Sequence, residues 1–131
     1  MGITFARTRL TNARGGKRAL DVEMVVDTGA IFSVVPRDVL KKLGVRSQED
    51  DEFTLADGST VRYPVGEAHF ELEGRQGTSK VVFGPVGGTP LLGALALETL
   101  GLMVNPVTRE LRPMRLILAA GAGRRPRVRR R

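Results

Sequence analysis

The chain has no cysteine and only one histidine, His69, in 131 residues. Without cysteine there is no disulfide framework, thiol nucleophile or thiolate zinc site. A lone histidine with no second nitrogen ligand nearby gives no basis for a metal centre. The sequence has no Gly-x-Ser-x-Gly, and His69 falls on the charged side of an alternating segment, so a Ser-His hydrolase is not expected. No apolar run approaches the ~20 residues of a membrane helix. Met1 to Leu10 has no apolar signal region, so no membrane span and a cytoplasmic location are expected. Gly84 to Thr89 is glycine-rich but lacks the Gly-Lys-Ser/Thr of a phosphate loop. Glu49, Asp50, Asp51 and Glu52 lack the alternating spacing of a calcium loop and read as a solvated loop.

What is present first shows in the charge. The net charge is +7, from 21 Lys and Arg against 14 Asp and Glu. Six of the arginines are Arg124, Arg125, Arg127, Arg129, Arg130 and Arg131; without them the balance is 15 against 14. The excess belongs to a tail, residues 121–131, that reads as disordered, after a domain of residues 1–120. Such a tail attracts nucleic acid, but no aromatic residue interleaves it to stack on bases. The 41% of hydrophobic residues is enough for one folded domain.

Sixteen glycines and seven prolines cut the chain into short pieces, as in a β-rich fold. Leu20, Val22, Met24 and Val26 alternate with Asp21, Glu23, Val25 and Asp27, the period of a strand with one buried face. Thr60 to Tyr63 reads as one short strand and Val65 to Glu73 as another, in which Gly66, Ala68, Phe70 and Leu72 alternate with Glu67, His69, Glu71 and Glu73 and His69 is expected to be solvated. Pro36 suits the first position of a short helix that Gly44 ends, and Ala94 to Leu100 reads as a second helix stopped by Gly101. Asp57-Gly58 between short β-like runs is a hairpin signal. An apolar run leading to Gly29-Ala30 and a helix is echoed by a second leading to Gly93-Ala94 and a helix, as in two related half-units.

The stretch with chemical content is Val25-Val26-Asp27-Thr28-Gly29-Ala30-Ile31-Phe32-Ser33. A carboxylate between apolar segments is costly to bury without a partner. Gly29 permits a tight turn and close approach of a ligand. Thr28 and Ser33 offer hydroxyls that can fix the turn. Taken alone, Asp27 could also be a turn former that bonds its own backbone.

Asp27-Thr28-Gly29-Ala30, Ser33 three residues on, and Leu91-Leu92-Gly93 before a helix resemble the retropepsins, the retroviral-type single-domain aspartic proteases. The resemblance spans Leu20 to Met114. It implies a mainly β fold, a closed β-barrel half-unit with one or two short helices, active as a symmetric homodimer. Asp27 of each chain would then form a dyad sharing one proton. One carboxylate takes a proton from water, and the other, protonated, hydrogen-bonds the scissile carbonyl of a peptide or protein substrate. No cofactor or metal is implied. Thr28 would bond across the dimer axis, and Gly29 and Ala30 would line the channel. Ala56, Asp57, Gly58 and Ser59 would be the flap tip over the substrate. Leu91, Leu92 and Gly93 would pack behind the catalytic loop. Two further readings are a catalytically silent module that binds an extended peptide by strand addition, and nucleic-acid binding through the tail.

Overall fold

Alternating burial and glycine stops set the elements in the computed structural model, which describes residues 2–115. The strands are β1 (Phe5–Asn12), β2 (Ala19–Val26), β3 (Ser33–Pro36), β4 (Glu49–Thr54), β5 (Thr60–Leu72), β6 (Arg75–Gly84), β7 (Leu91–Leu92), β8 (Leu102–Val104) and β9 (Leu111–Pro113). The helices are α1 (Arg37–Lys42) and α2 (Ala94–Leu100). Seven strands form one sheet in the order β1-β2-β7-β3-β6-β5-β4. A further pairing of β1 with β5, from Arg9 opposite Glu71 to Asn12 opposite Ala68, closes the sheet on itself. Six strands thus make a barrel, and β4 hangs from β5 outside it. The fold is mainly β with two short helices, as the sequence predicts.

The barrel interior is apolar. Leu10, Met24, Val35, Leu40, Ala68, Phe70, Val81 and Leu92 are wholly buried. Gly66, Ala68, Phe70 and Leu72 of β5 all face inward, while Glu67 and Glu71 are exposed. Both helices end as read: Gly44 and Gly101 have φ of +73° and +69°. These are left-handed conformations that glycine adopts without steric penalty. Pro36 is the last residue of β3 and caps α1 from outside, so it precedes the first helical position rather than filling it.

Three expectations need correction. Glu49, Asp50, Asp51 and Glu52 are not a loop; they form most of β4, paired from Glu49 opposite Val65 to Thr54 opposite Thr60. An edge strand tolerates charges because one of its sides stays in water, and charges there discourage further pairing. The segments on either side of Pro64 are one 13-residue strand rather than two. β5 pairs with β6 only from Val65 onward. Pro64 therefore sits where the strand has a partner on one side alone, a position where a missing N–H is tolerated. His69 is not free in solvent: it is half-buried, with Nδ1 3.1 Å from Thr78 Oγ1 and Nε2 3.0 Å from Gln76 Oε1. The division at residue 120 and the arginine tail lie outside the described residues.

Candidate active site

The topology builds one loop with unusual support. The chain leaves β2 at Val26, turns through residues 27–32 and returns as β3 on the other side of β7. β7 pairs parallel to β2 (Val25 with Leu91, Val26 with Leu92) and antiparallel to β3 (Val34 with Leu91). The loop therefore arches over the end of a buried strand. Asp27 N–H donates to Leu92 O at 2.9 Å. Where β7 runs into α2, Ala94 N–H donates to Ala30 O (2.8 Å) and Leu95 N–H to Ile31 O (3.0 Å). Beneath them the buried Ser33 hydroxyl accepts from Gly93 N–H at 3.0 Å.

Gly93 is required by space rather than by dihedral angle. Its backbone is extended (φ −90°, ψ 173°), a conformation open to any residue. A Cβ there would lie 2.6 Å from Phe32 C and 2.9 Å from Ile31 O. The loop backbone thus rests directly on the Gly93 Cα. Leu91, Leu92, Gly93, Ser33 and Ala30 are brought together with Asp27 in a single hydrogen-bonded unit.

Within that unit Asp27 is half-buried. Its Oδ1 accepts from Gly29 N–H at 3.0 Å, which orients the carboxylate across the turn. The other carboxylate oxygen has no partner among the described residues. Thr28 and Gly29 are exposed beside it. A carboxylate held by a rigid backbone frame, with one oxygen open, can take or give a proton without reorganising.

Two concavities flank the loop. A groove of about 720 Å³ runs along Gly29, Ala30, Ile31 and Phe32, with Val34, Val82, Gly84 and Pro85 below and Asp51, Glu52, Phe53 and Tyr63 opposite. It is mostly apolar and open, a shape suited to an extended peptide. On the other side of the loop, Asp27 and Thr28 share a smaller hollow of about 380 Å³ with Ile3, Thr4, Val104 and Arg109.

The β4–β5 hairpin supplies the far wall of the larger groove. Phe53 meets Phe32 edge to face, with ring centres 5.9 Å apart, and Tyr63 lies 6.2 Å from Phe53. Lys80 Nζ stands 5.6 Å over the Phe32 ring. This aromatic cluster joins residues that no sequence motif groups. Its signal is scarcity: Phe32, Phe53 and Tyr63 are three of only six Phe and Tyr residues.

The hairpin tip carries Ala56, Asp57, Gly58 and Ser59, all exposed. Gly58 N–H donates to Leu55 O (2.9 Å) and Leu55 N–H to Ser59 O (2.8 Å). Only Gly58 has positive φ, +86°, so Ala56 and Asp57 form an ordinary turn that Gly58 closes. The Ser59 hydroxyl (2.5 Å) and N–H (2.9 Å) both donate to Asp57 Oδ1. The hydroxyl first, then the backbone N–H, hold the Asp57 carboxyl below its ordinary range. These four residues line neither concavity; the hairpin stem does. Among the described residues no group of acids and histidine is arranged to hold a metal, and no helix is long and apolar enough to cross a membrane.

The comparisons with known proteins bear on this architecture. The protease of simian foamy virus (mac) superimposes with a TM-score of 0.52, at 17% identity, covering 72% of this chain and 92% of that one. EIAV protease, in a complex with an inhibitor, gives 0.57 at 15% identity, covering 89% and 94%. The retroviral protease-like domain of Ddi1 from Leishmania major gives 0.52 at 17% identity, covering 86% and 90%. At these identities the likeness is one of fold. No curated protein matches at a significant level. A sequence model described as aspartyl protease matches residues 13–96, well over half of the chain and including the Asp27 loop, the hairpin and β7. The chain therefore belongs to the aspartyl protease family, with a retropepsin-like fold.

Proposed function

We propose that the protein is an aspartic endopeptidase working as a symmetric homodimer, with Asp27 of each chain forming the catalytic pair. The observation that carries this reading is the Asp27 carboxylate itself. It is pinned through one oxygen to Gly29 N–H, on a loop fixed by β7 and α2, beside a mostly apolar groove of about 720 Å³. One carboxylate cannot serve as base toward water and acid toward the amide at the same moment, so a single chain holds half of a site. Exposed apolar side chains on either side of the loop, Ile31 (70% exposed) and Ile3 (64%), support a partner surface there. Thr28, exposed beside Asp27, would meet its counterpart near the axis.

In this mechanism a peptide lies extended in the groove, its side chains against Ile31, Phe32, Phe53 and Tyr63. A water between the two carboxyls loses a proton to the ionised one and attacks the scissile carbonyl. The protonated carboxyl hydrogen-bonds the carbonyl oxygen and stabilises the charge that develops there. The proton then passes to the leaving amine. Residues 56–59 act as the flap: an exposed tip with few buried contacts opens at low cost.

The test compares wild type with Asp27→Asn on an unfolded protein substrate at mildly acidic pH. The amide oxygen can still accept from Gly29 N–H, so the fold is kept, but the group cannot take the proton from water. Turnover should fall by about 10³-fold or more. A purified Asn variant with wild-type turnover would sink the aspartic mechanism. Activity should also fall more steeply than protein concentration on dilution through the dimer dissociation range.

A further inference from the structure

Outside the tail the charges nearly cancel, but they are not mixed. Four acids run along β4 from Glu49 to Glu52. Seven bases gather elsewhere: Arg14, Lys17 and Arg18 on the β1–β2 turn, Arg37, Lys41 and Lys42 on α1, and Arg46 just beyond it. Hydrogen bonds hold these segments side by side. Arg18 Nη1 donates to Lys42 O at 3.0 Å, and Asn12 Nδ2 to Gly44 O at 2.9 Å. Arg14 and Arg46 line one groove of about 520 Å³. Arg46, Arg37 and Lys41 line a second of about 570 Å³. All seven are exposed, and among the described residues none is ion-paired. The acids on this face are Asp38 of α1 and Glu67, whose Oε1 accepts from Gln48 at 3.1 Å.

Like charges held together without ion pairs repel, and a bound polyanion relieves that repulsion. The second groove also contains Tyr63, with Pro64 and Phe83 beside it. Tyr63 packs against Phe53 and is still 36% exposed. Cations that track phosphates beside an open aromatic ring are the two components of single-strand recognition. A lipid surface fits less well. The exposed aliphatic residues Ile3, Ile31, Val86, Met103 and Val107 line neither basic groove, so the face has no apolar anchor. We propose that this face binds single-stranded nucleic acid, with phosphates on Arg14, Arg37, Lys41 and Arg46 and a base stacked on Tyr63. This site is separate from the arginine tail and does not depend on peptidase activity.

Tyr63 is the only tyrosine, and there is no tryptophan, so the full-length chain carries one intrinsic fluorophore at the proposed contact. Oligo(dT) or oligo(U) should quench it saturably. With about four phosphates neutralised, affinity should fall roughly 50-fold between about 50 and 200 mM salt. Arg37→Gln/Lys41→Gln/Arg46→Gln in the full chain should weaken binding roughly 100-fold at about 0.1 M salt and lower the salt slope by about 2. Should that variant melt early, Arg46→Gln alone carries the test, with a loss of about 5-fold. Arg129→Gln/Arg130→Gln/Arg131→Gln should leave the quench intact. Inorganic polyphosphate should compete for the face without quenching. The proposal fails if oligonucleotide binds with no quench, if only the tail variant loses it, or if anionic vesicles bind this face and oligonucleotide does not.

Discussion

Gly93→Ala adds one methyl group where the Asp27 loop rests on the β7–α2 junction. Two effects oppose each other. The extended dihedrals at Gly93 suit alanine, and the lost freedom of the unfolded chain favours the variant by about 0.4–1 kcal/mol. Against this, the new Cβ would stand 2.6 Å from Phe32 C, 2.7 Å from Phe32 O and 2.9 Å from Ile31 O. All three are backbone atoms, so no side chain can swing away; residues 31–32 or the junction must move by roughly an ångström to reach ordinary contact. Overpacking of this kind costs about 1–3 kcal/mol. The shift also stretches the bonds from Ala94 to Ala30 and from Leu95 to Ile31. Each contributes about 0.5–1.5 kcal/mol net. The clash wins, leaving a net loss of about 2–4 kcal/mol. For a domain of this size that is roughly 8–16 °C in Tm. Urea unfolding followed by circular dichroism measures the stability, and peptide hydrolysis by the folded fraction measures the loop. Turnover should fall further than the folded population, because the displaced carbonyls belong to the loop that aims Asp27. A variant melting within about 2 °C of wild type with unchanged turnover would refute the claim that Gly93 carries the loop.

Ser33→Ala removes the acceptor for Gly93 N–H and leaves that donor buried, so stability should fall by about 1–3 kcal/mol in the same urea titration. Gly58→Val meets no steric obstacle, since nothing lies within 4 Å of the new Cβ, but a β-branched residue resists φ near +86°. Its cost of about 1–2 kcal/mol is confined to the hairpin tip, so peptide turnover should drop far more than Tm. The Asp57 carboxyl lies below its ordinary range in the folded turn, so the order it confers is complete above that range and lost as pH falls through the lower folded value. Protection of the Ser59 amide, taken as its exchange relative to the free-peptide rate at each pH, should therefore be lost only on strong acidification in wild type, and already at neutral pH in Asp57→Ala; equal protection in the two proteins at neutral pH would remove these bonds from the turn.

Much of this was legible where a rule acts within one segment. The inward face of β5 follows from alternation at Gly66, Ala68, Phe70 and Leu72, and the ends of α1 and α2 from Gly44 and Gly101. The Asp27 loop and the Leu91-Leu92-Gly93 segment could be named, but their hydrogen bonds to each other could not. What stayed hidden depends on partners far along the chain. The acids of β4 look like a loop until β5 pairs with them. Pro64 looks like a break until its place beyond the end of the β5–β6 pairing is known. Alternation alone makes Glu73 the last residue of the strand. Glu73 instead forms a two-residue turn with Gly74, both at positive φ (53° and 72°), and Glu is not a residue that signals such a turn. Phe32 and Phe53 are twenty-one positions apart, and nothing local to either predicts their contact.

Charge shows the same limit most sharply. A near-zero sum for the domain reads as a surface with no electrostatic character, yet a sum contains no positions. Folding sends Asp51 and Glu52 to the wall of the apolar groove and Arg37, Lys41 and Arg46 to the basic one. Tyr63 stands in both walls, so fields of opposite sign meet across one side chain. Segregation of this kind is maintained by backbone contacts rather than by ion pairs: Arg18 and Asn12 reach carbonyl oxygens of residues 42–44, not carboxylates. The bases are thereby left with their charge uncompensated toward solvent. Salt then separates the two grooves: it screens exposed phosphate contacts within about 8–10 Å at ordinary ionic strength and leaves apolar burial against Phe32 and Phe53 largely unaffected. Ionic strength should thus abolish oligonucleotide quenching of Tyr63 well before it weakens peptide binding in the neighbouring groove.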